Sequence, residues 1–255
     1  IDSVDGNIVT NMELSDVVSK LRGTEGTDVD IVYEHNGEQK NATLTRRSIN
    51  MPSVSYQMLD NGVGYIRIME FSEGTDDEFN TALADLQKQG MTSVVFDLRD
   101  NPGGLVDSVT KMLDTILPKG TVVYMKDKDG KRTNYTSDED TKLTCPIAVL
   151  VNENSASAAE IFAGAIRDFH YGTLIGTTTY GKGVVQSTIP LNDGSMLKVT
   201  TAEYFTPSGE NITGVGITPD IEMDYSYSGN ADAKDYDYSK DNQVQKAVEI
   251  VTQNQ

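Results

Sequence analysis

Residues that build metal centres and histidine-based catalytic sites are scarce in this 255-residue chain. It has one cysteine, Cys145, and two histidines, His35 and His170. A single cysteine excludes an intrachain disulfide and any multi-cysteine metal site. The two histidines stand too far apart to form a zinc site from one short motif. Cys145 precedes Pro146 at the mouth of an apolar run, where a free cysteine is expected as a buried structural thiol. No segment reaches the roughly 20 apolar residues of a membrane-spanning helix, and no signal peptide is recognisable. The chain opens at Ile1 without an initiator methionine, so it is expected to be a fragment. Positive charge is also short: 21 Lys and Arg stand against 39 Asp and Glu, a net charge of −18. With no basic stripe, such a chain should repel nucleic acid and anionic lipid. The acid excess is read as solubility.

What is present organises into three parts. Residues 1–49 carry a helical apolar spacing over 12–21 (Leu14, Val17, Val18, Leu21), with Gly23 expected as its C-terminal cap. Val29, Ile31 and Tyr33 alternate as in a half-buried strand, and Asn36-Gly37 is a hairpin turn signal leading to a return strand over 39–46. A second part, 50–225, opens with another Asn-Gly turn, Asn61-Gly62. Beyond it Val63, Tyr65, Met69 and Phe71 are expected on one face of a strand, and Ile66 and Ile68 on the other. Thr75 and Glu78 fit a capping box for a helix reaching Lys88. A buried strand over 93–98, a helix over 105–117, a strand at 147–151, a helix over 157–169 and a strand over 173–176 follow. Strands alternating with helices predict an α/β layered core. After Gly183 the pattern turns to strands, 184–189 and 196–204. The third part, 226–255, is expected to be an acidic, Tyr- and Ser-rich connector and a terminal helix faced by Val244, Ala247, Val248 and Val251. No internal repeat is found.

The chemistry concentrates at three places. The apolar run 146–151 ends in the polar turn Asn152-Glu153-Asn154-Ser155-Ala156, and a helix opens at Ser157-Ala158-Ala159-Glu160. A serine there meets the free N–H groups and positive dipole end of a helix, which would stabilise an oxyanion. The same four residues also form a capping box, in which the hydroxyl only serves the backbone, and Ser155 competes for either role. Twenty-five residues after Ser157 comes Lys182, in Tyr180-Gly181-Lys182-Gly183, beside small and apolar neighbours that could lower an amine's pKa by excluding water. A surface lysine in a glycine turn is the plain alternative. Asp97-Leu98-Arg99-Asp100-Asn101-Pro102-Gly103-Gly104 closes a buried strand, and its paired glycines let backbone N–H groups approach a ligand. Two other motifs fail. Gly176 to Lys182 is close to a phosphate-binding loop, but Gly183 stands where Ser or Thr is needed, and β-branched residues follow. His170 and Asp168 cannot complete a triad with Ser157, because they lie roughly 15–20 Å along its own helix.

Together these motifs resemble the C-terminal processing, or tail-specific, protease family of PDZ-containing Ser–Lys serine peptidases. The residues carrying the resemblance are the PDZ-like segment 1–46, the Leu98 to Gly104 stretch, Val151 to Glu160, Gly181-Lys182-Gly183 with Gln186, and Gly214-Val215-Gly216-Ile217-Thr218-Pro219-Asp220. The resemblance implies Ser157 as nucleophile rather than Ser155, Lys182 as general base, and Gln186 as the residue orienting it. It implies an oxyanion hole from Gly103 or Gly104 with Ala158. It also implies a ClpP/crotonase-like core with a truncated N-terminal PDZ-like segment as substrate reader and lid. The substrate would be a polypeptide with an accessible C-terminus, cut through an acyl-enzyme outside the cytoplasm, with no metal or organic cofactor, no nucleic acid and no membrane contact by this fragment. Oligomerisation is left open. If Lys182 and Gln186 share a strand, they lie about 13 Å apart, so a bend or bulge is expected between them. A catalytically silent peptide-binding protein and a crotonase-like acyl-CoA enzyme are the alternatives; the PDZ-like segment and the Lys182 spacing argue against the second.

Overall fold

The structure is a computed structural model that describes residues 1–48, 51–138, 143–230 and 236–253. It divides into two compact units, Ile1–Met51 and Pro52–Gln255.

The first unit contains β1 (Ser3–Val4), β2 (Asn7–Ile8), α1 (Leu14–Leu21), β3 (Asp28–His35) and β4 (Glu38–Thr45). Its sheet runs β2-β1-β3-β4, every pair antiparallel. Asn36 and Gly37 both take positive φ, the left-handed pair that a two-residue hairpin needs. The core is small: Val4, Val9 and Val29 are buried, with Val17, Leu21 and Ile31 against them. Gly23 does not cap α1. The helix ends at Arg22 in extended conformation, and the Arg46 guanidinium caps it instead, donating to the Leu21 carbonyl at 2.8 Å and the Lys20 carbonyl at 3.3 Å. A cation on the last carbonyls opposes the helix dipole and satisfies acceptors that a glycine turn would otherwise serve.

The second unit contains β5 (Val54–Met58), β6 (Val63–Ile68), α2 (Thr75–Lys88), β7 (Ser93–Asp97), α3 (Val106–Ile116), β8 (Gly120–Asp127), β9 (Arg132–Ser137), β10 (Ile147–Val151), α4 (Ala158–Asp168), β11 (Thr173–Gly176), β12 (Val184–Pro190), β13 (Met196–Phe205), β14 (Ile221–Glu222) and α5 (Asn242–Gln253). The central sheet runs β14-β11-β10-β7-β6-β5; only β5 is antiparallel to its neighbour. Both faces are covered, which explains the unbroken apolar run of β10. Ile147, Val149 and Val151 face the cluster with α2, α3 and α4, while Ala148 and Leu150 face α5 through Val244, Ala247 and Val251. Residues 242–253 therefore fold into the same unit as the sheet, not into a separate tail. The tyrosines before them also pack: Tyr227 stacks on Tyr236 with ring centroids 4.7 Å apart.

Two local expectations are corrected. Val63 and Tyr65 do share a face, the one toward α5, but β6 ends at Ile68 and Phe71 packs on the opposite side with Ile66 and Ile68. The capping box at Thr75 is not formed: Gly74 is the N-cap, Thr75 Oγ1 accepts the Ser72 N–H at 2.9 Å, and Glu78 reaches across to the Ser53 N–H at 2.8 Å. A second sheet, β12-β13-β8-β9, is antiparallel throughout.

A buried ion cluster joins β7 to α5. The Arg99 guanidinium binds Asp97 through three hydrogen bonds (Nε–Oδ1 2.9 Å, Nε–Oδ2 3.1 Å, Nη2–Oδ2 2.6 Å) and Asp241 at 2.8 Å, both carboxylates being fully buried. Asp241 Oδ1 also caps α5, accepting the N–H groups of Gln243 and Val244. Burial, and then the Asp97 carboxylate beside it, pushes the Tyr65 phenol far above its ordinary value, so it stays a donor to Asp97. Removing the cation strands two buried carboxylates. Arg99→Ala is expected to lower the unfolding free energy by about 3–5 kcal/mol, measured by urea denaturation at neutral pH.

Candidate active site

β10 delivers the chain to Asn152, and α4 carries it away from Ala158. Between them Ser157 takes φ +56° and ψ −113°, a region that a residue with a side chain rarely enters. Such a conformation costs on the order of 1–3 kcal/mol and persists only where neighbours over-determine it. Here they do. The Ser157 N–H donates to Glu160 Oε2 at 2.9 Å, the Tyr204 hydroxyl donates to the Ser157 carbonyl at 3.0 Å, and the Ala156 N–H donates to the Asn101 carbonyl at 2.9 Å. Burial, with the Glu160 charge adding to it, holds the Tyr204 phenol well above its ordinary value and keeps that donor proton in place.

Ser157 and Glu160 do form the capping pair expected of them, but Glu160 does more than cap. It is completely buried, and its Oε1 accepts from Thr179 Oγ1 at 2.6 Å and the Gly181 N–H at 2.7 Å, while Oε2 also accepts from the Lys182 N–H at 2.8 Å. One carboxylate thus fastens the start of α4 to the segment bearing Lys182.

Ser157, Lys182, Gln186, Gly103 and Gly104 line one cavity of about 460 Å³, with Leu105, Ile161, Val184, Val185, Lys198 and Tyr204 among its walls. Ser155 does not line it. Its buried hydroxyl donates to the Leu98 carbonyl at 2.8 Å and accepts the Asn152 N–H at 2.9 Å. A bend or bulge was needed between Lys182 and Gln186, which in one strand would lie about 13 Å apart. Lys182 lies in the irregular segment before β12, and Gln186 lies on β12 where its pairing with β13 shifts register by one residue.

Gly103 and Gly104 take φ +96° and +143°. A Cβ on Gly104 would sit 2.0 Å from the Phe71 carbonyl oxygen, and one on Gly103 would sit 2.7 Å from Ser157 Cβ and 2.9 Å from the Ala158 nitrogen. Glycine is required at both for the loop to lie this close. The Gly103 N–H is taken by Asn101 Oδ1 at 2.8 Å. Among the described residues, neither the Gly104 N–H nor the Ala158 N–H donates a hydrogen bond. The arrangement therefore brings Ser157, Lys182 and the unengaged Gly104 N–H to one space, parts that covalent acyl transfer uses, while Ala158 follows Ser157 in the chain but is not among the residues lining the cavity.

The other candidate residues lie elsewhere. Asp168, at the end of α4, accepts the Ser208 N–H at 2.9 Å and binds Arg167 at 2.9 Å. Burial works to raise its carboxyl, but hydrogen bonds from Thr206, Ser208 and Arg167 outweigh it and hold the group below its ordinary value. Cys145 and His170 line a separate cavity, one that none of Ser157, Lys182, Gln186, Gly103 and Gly104 lines. Cys145 is half-buried rather than buried as expected, and what burial it has pushes its thiol up, which favours the protonated form. No helix among the described residues is long and apolar enough to cross a membrane. Sequence reasoning missed Thr179, Tyr204 and the full role of Glu160. The one available signal was a glutamate heading a helix that is otherwise apolar or glycine as far as Ile166, since a buried charge demands several partners.

A strained serine heading a helix above a largely parallel sheet, opposite a paired-glycine loop, is an α/β scaffold suited to covalent acyl transfer. The chain belongs to peptidase family S41, whose model matches residues 62–223. Similar curated proteins include probable CtpA-like serine proteases of Staphylococcus haemolyticus (38% identical over 226 residues, 88% of this chain and 45% of the relative) and Staphylococcus aureus strain N315 (39% over 228 residues, 88% and 46%). The chain thus spans about half the length of these relatives. Among solved structures it is similar to a photosystem II D1 C-terminal processing protease (TM-score 0.63, 32% identity, covering 88% of this chain and 62% of that one). It also shares its fold with a putative S41 protease from Bacteroides fragilis (TM-score 0.66, 19% identity, 99% and 72%).

The Glu160 contacts carry a measurable consequence. Glu160→Gln replaces an acceptor oxygen by an NH₂ group facing backbone donors. It is expected to cost about 2–4 kcal/mol of stability and to increase hydrogen exchange at the Gly181 and Lys182 amides, read by denaturation and by exchange mass spectrometry.

Proposed function

We propose that this chain is the catalytic part of a serine endopeptidase that cuts polypeptides near their C-termini. The observation that carries the reading is that Ser157, held at positive φ at the head of α4, shares one cavity with Lys182 and with the unengaged Gly104 N–H. In this reading Lys182 acts in its uncharged form and takes the proton from Ser157 Oγ as that oxygen bonds to the scissile carbonyl carbon. The carbonyl oxygen, now an anion, accepts hydrogen bonds from the N–H groups of Gly104 and Ala158. Collapse breaks the C–N bond, Lys182 returns its proton to the leaving amine, and an ester to Ser157 remains. Water, deprotonated by Lys182, then releases the new carboxyl terminus. Gln186, on the same cavity wall, positions Lys182. Engagement of the Gly103 N–H by Asn101 supports Gly104 as the donor of its loop.

The core is read as ClpP/crotonase-like, a parallel sheet with helices over both faces and a backbone oxyanion hole. Residues 1–49 are read as a partial PDZ-like segment that presents substrate, a reading supported by an antiparallel sheet with one short helix. In the same reading the protein works outside the cytoplasm, on polypeptides with an accessible C-terminus and without a metal or organic cofactor.

The test is cleavage of an unfolded polypeptide bearing a free C-terminus. Ser157→Ala and Lys182→Ala are each expected to lower kcat/KM by at least about 10³-fold, with folding unchanged by circular dichroism. Gly104→Ala, which forces the loop off Phe71, is expected to lower kcat by at least about 10²-fold. Equal cleavage by the wild-type chain and both dyad variants would falsify the mechanism. Retained peptide binding without any cleavage would instead identify a silent binding protein in which Ser157 is only a cap.

A further inference from the structure

The oxyanion-side loop (99–104) and the nucleophile turn (152–157) leave the sheet from neighbouring parallel strands, β7 and β10. The ladder between those strands ends at the pair Leu150 and Asp97, so it does not by itself fix how far apart the two loops stand. Side chains bridge the gap. Asp100 Oδ1 accepts from Asn152 Nδ2 and from Asn154 Nδ2, each at 2.9 Å. Asn152 Oδ1 returns the contact, accepting the Asp100 N–H at 2.9 Å and the Asn154 N–H at 3.1 Å. Asp100 sits at φ +61°, which turns its side chain across to the other loop. The amides of Asn154 and Asn152 hold its carboxyl below the ordinary range, so it is an ionised, acceptor-only group at neutral pH. Arg67 approaches the free oxygen, Oδ2, at 3.9 Å.

We propose that Asp100, through Asn152 and Asn154, is a positioning residue that sets the spacing between the Gly104 N–H on one loop and Ser157 with the Ala158 N–H on the other. Asp100 does not line the cavity, so it acts only through the two loops. The inference rests on the Ser–Lys reading above and deepens it. A tetrahedral oxyanion needs both donors at once, whereas binding an extended polypeptide draws on the rest of the cleft. Loosening the clasp therefore lowers kcat and leaves KM nearly unchanged. The backbone bond from the Ala156 N–H to the Asn101 carbonyl keeps the loops in contact without the clasp, so the expected loss is partial.

The experiment measures kcat and KM on the unfolded substrate for Asp100→Ala, Asn154→Ala, the double variant and Asp100→Asn. Rates are expressed per folded molecule, from near-ultraviolet circular dichroism. The first two should each lose about tenfold in kcat, and the double variant no more than either. Asp100→Asn should recover most of the activity, because one amide oxygen can still accept both bonds. Unchanged kcat in Asp100→Ala, a loss confined to KM, additive losses, or an Asp100→Asn variant as poor as Asp100→Ala would overturn the proposal. Ser157→Ala in the same assay separates the two failures. If it cleaves like wild type, or if no protein cleaves, the Ser–Lys reading falls and the clasp's role with it. If it is inactive while Asp100→Ala matches wild type, only the clasp falls.

Discussion

The Glu160 carboxylate lies fully buried at the head of α4 and accepts four hydrogen bonds, one from the serine turn and three from the segment 179–182. A buried charge with fewer partners would be intolerable in this environment, so the two segments are obliged to stay together around it. The lysine-bearing segment has no regular structure of its own between β11 and β12. The Gly181 and Lys182 N–H groups are satisfied at Glu160 and those of Thr179 and Tyr180 at the Ile217 and Ser155 carbonyls, which brings Lys182 to the cavity that Ser157 lines.

The rest of the site is arranged around that fixed point by close backbone approach. Gly104 lies against the Phe71 carbonyl where any Cβ would collide, and Gly103 lies against Ser157 and Ala158. Asn101 secures this loop from within, donating to the Ile68 carbonyl and accepting the Gly103 N–H. The strain at Ser157 is local, but its restraint comes from β13 through Tyr204, from the 99–104 loop through Asn101, and from α4 through Glu160. Below the site, the parallel sheet is stiffened by apolar clusters on both faces and by the Arg99 ion cluster, which fastens the end of β7 to α5. The loops that line the cavity stand on a base with little freedom to shift.

Much of this was legible beforehand because the relevant signals are local. Apolar runs bounded by turn residues marked β7 and β10, and helical spacing marked α3, α4 and α5. Paired glycines marked the loop at 103–104. The misreadings have physical causes. Gly23 looked like a cap because a long-range guanidinium from Arg46 cannot be foreseen from the helix itself. Thr75 and Glu78 looked like a capping pair because the claim of Ser53 on Glu78 comes from 25 residues away. Phe71 changed sides because β6 ends before it. The bend or bulge expected between Lys182 and Gln186 has its counterpart in the irregular segment before β12 and the register shift between Val185 and Gln186.

By itself the sequence determined the element types, the two-sided burial of the sheet, and the short list of residues with suitable chemistry. These follow from periodicity, from steric preference and from functional-group identity, which act over a few residues. Only the tertiary structure decided which serine faces the cavity and which is spent on the Leu98 carbonyl, which glycine N–H is already engaged, and what holds the lysine segment in place. Those outcomes depend on hydrogen bonds between loops about 20 to more than 50 residues apart. Such partners are chosen by the packing of the whole sheet and are not encoded in any one stretch of chain.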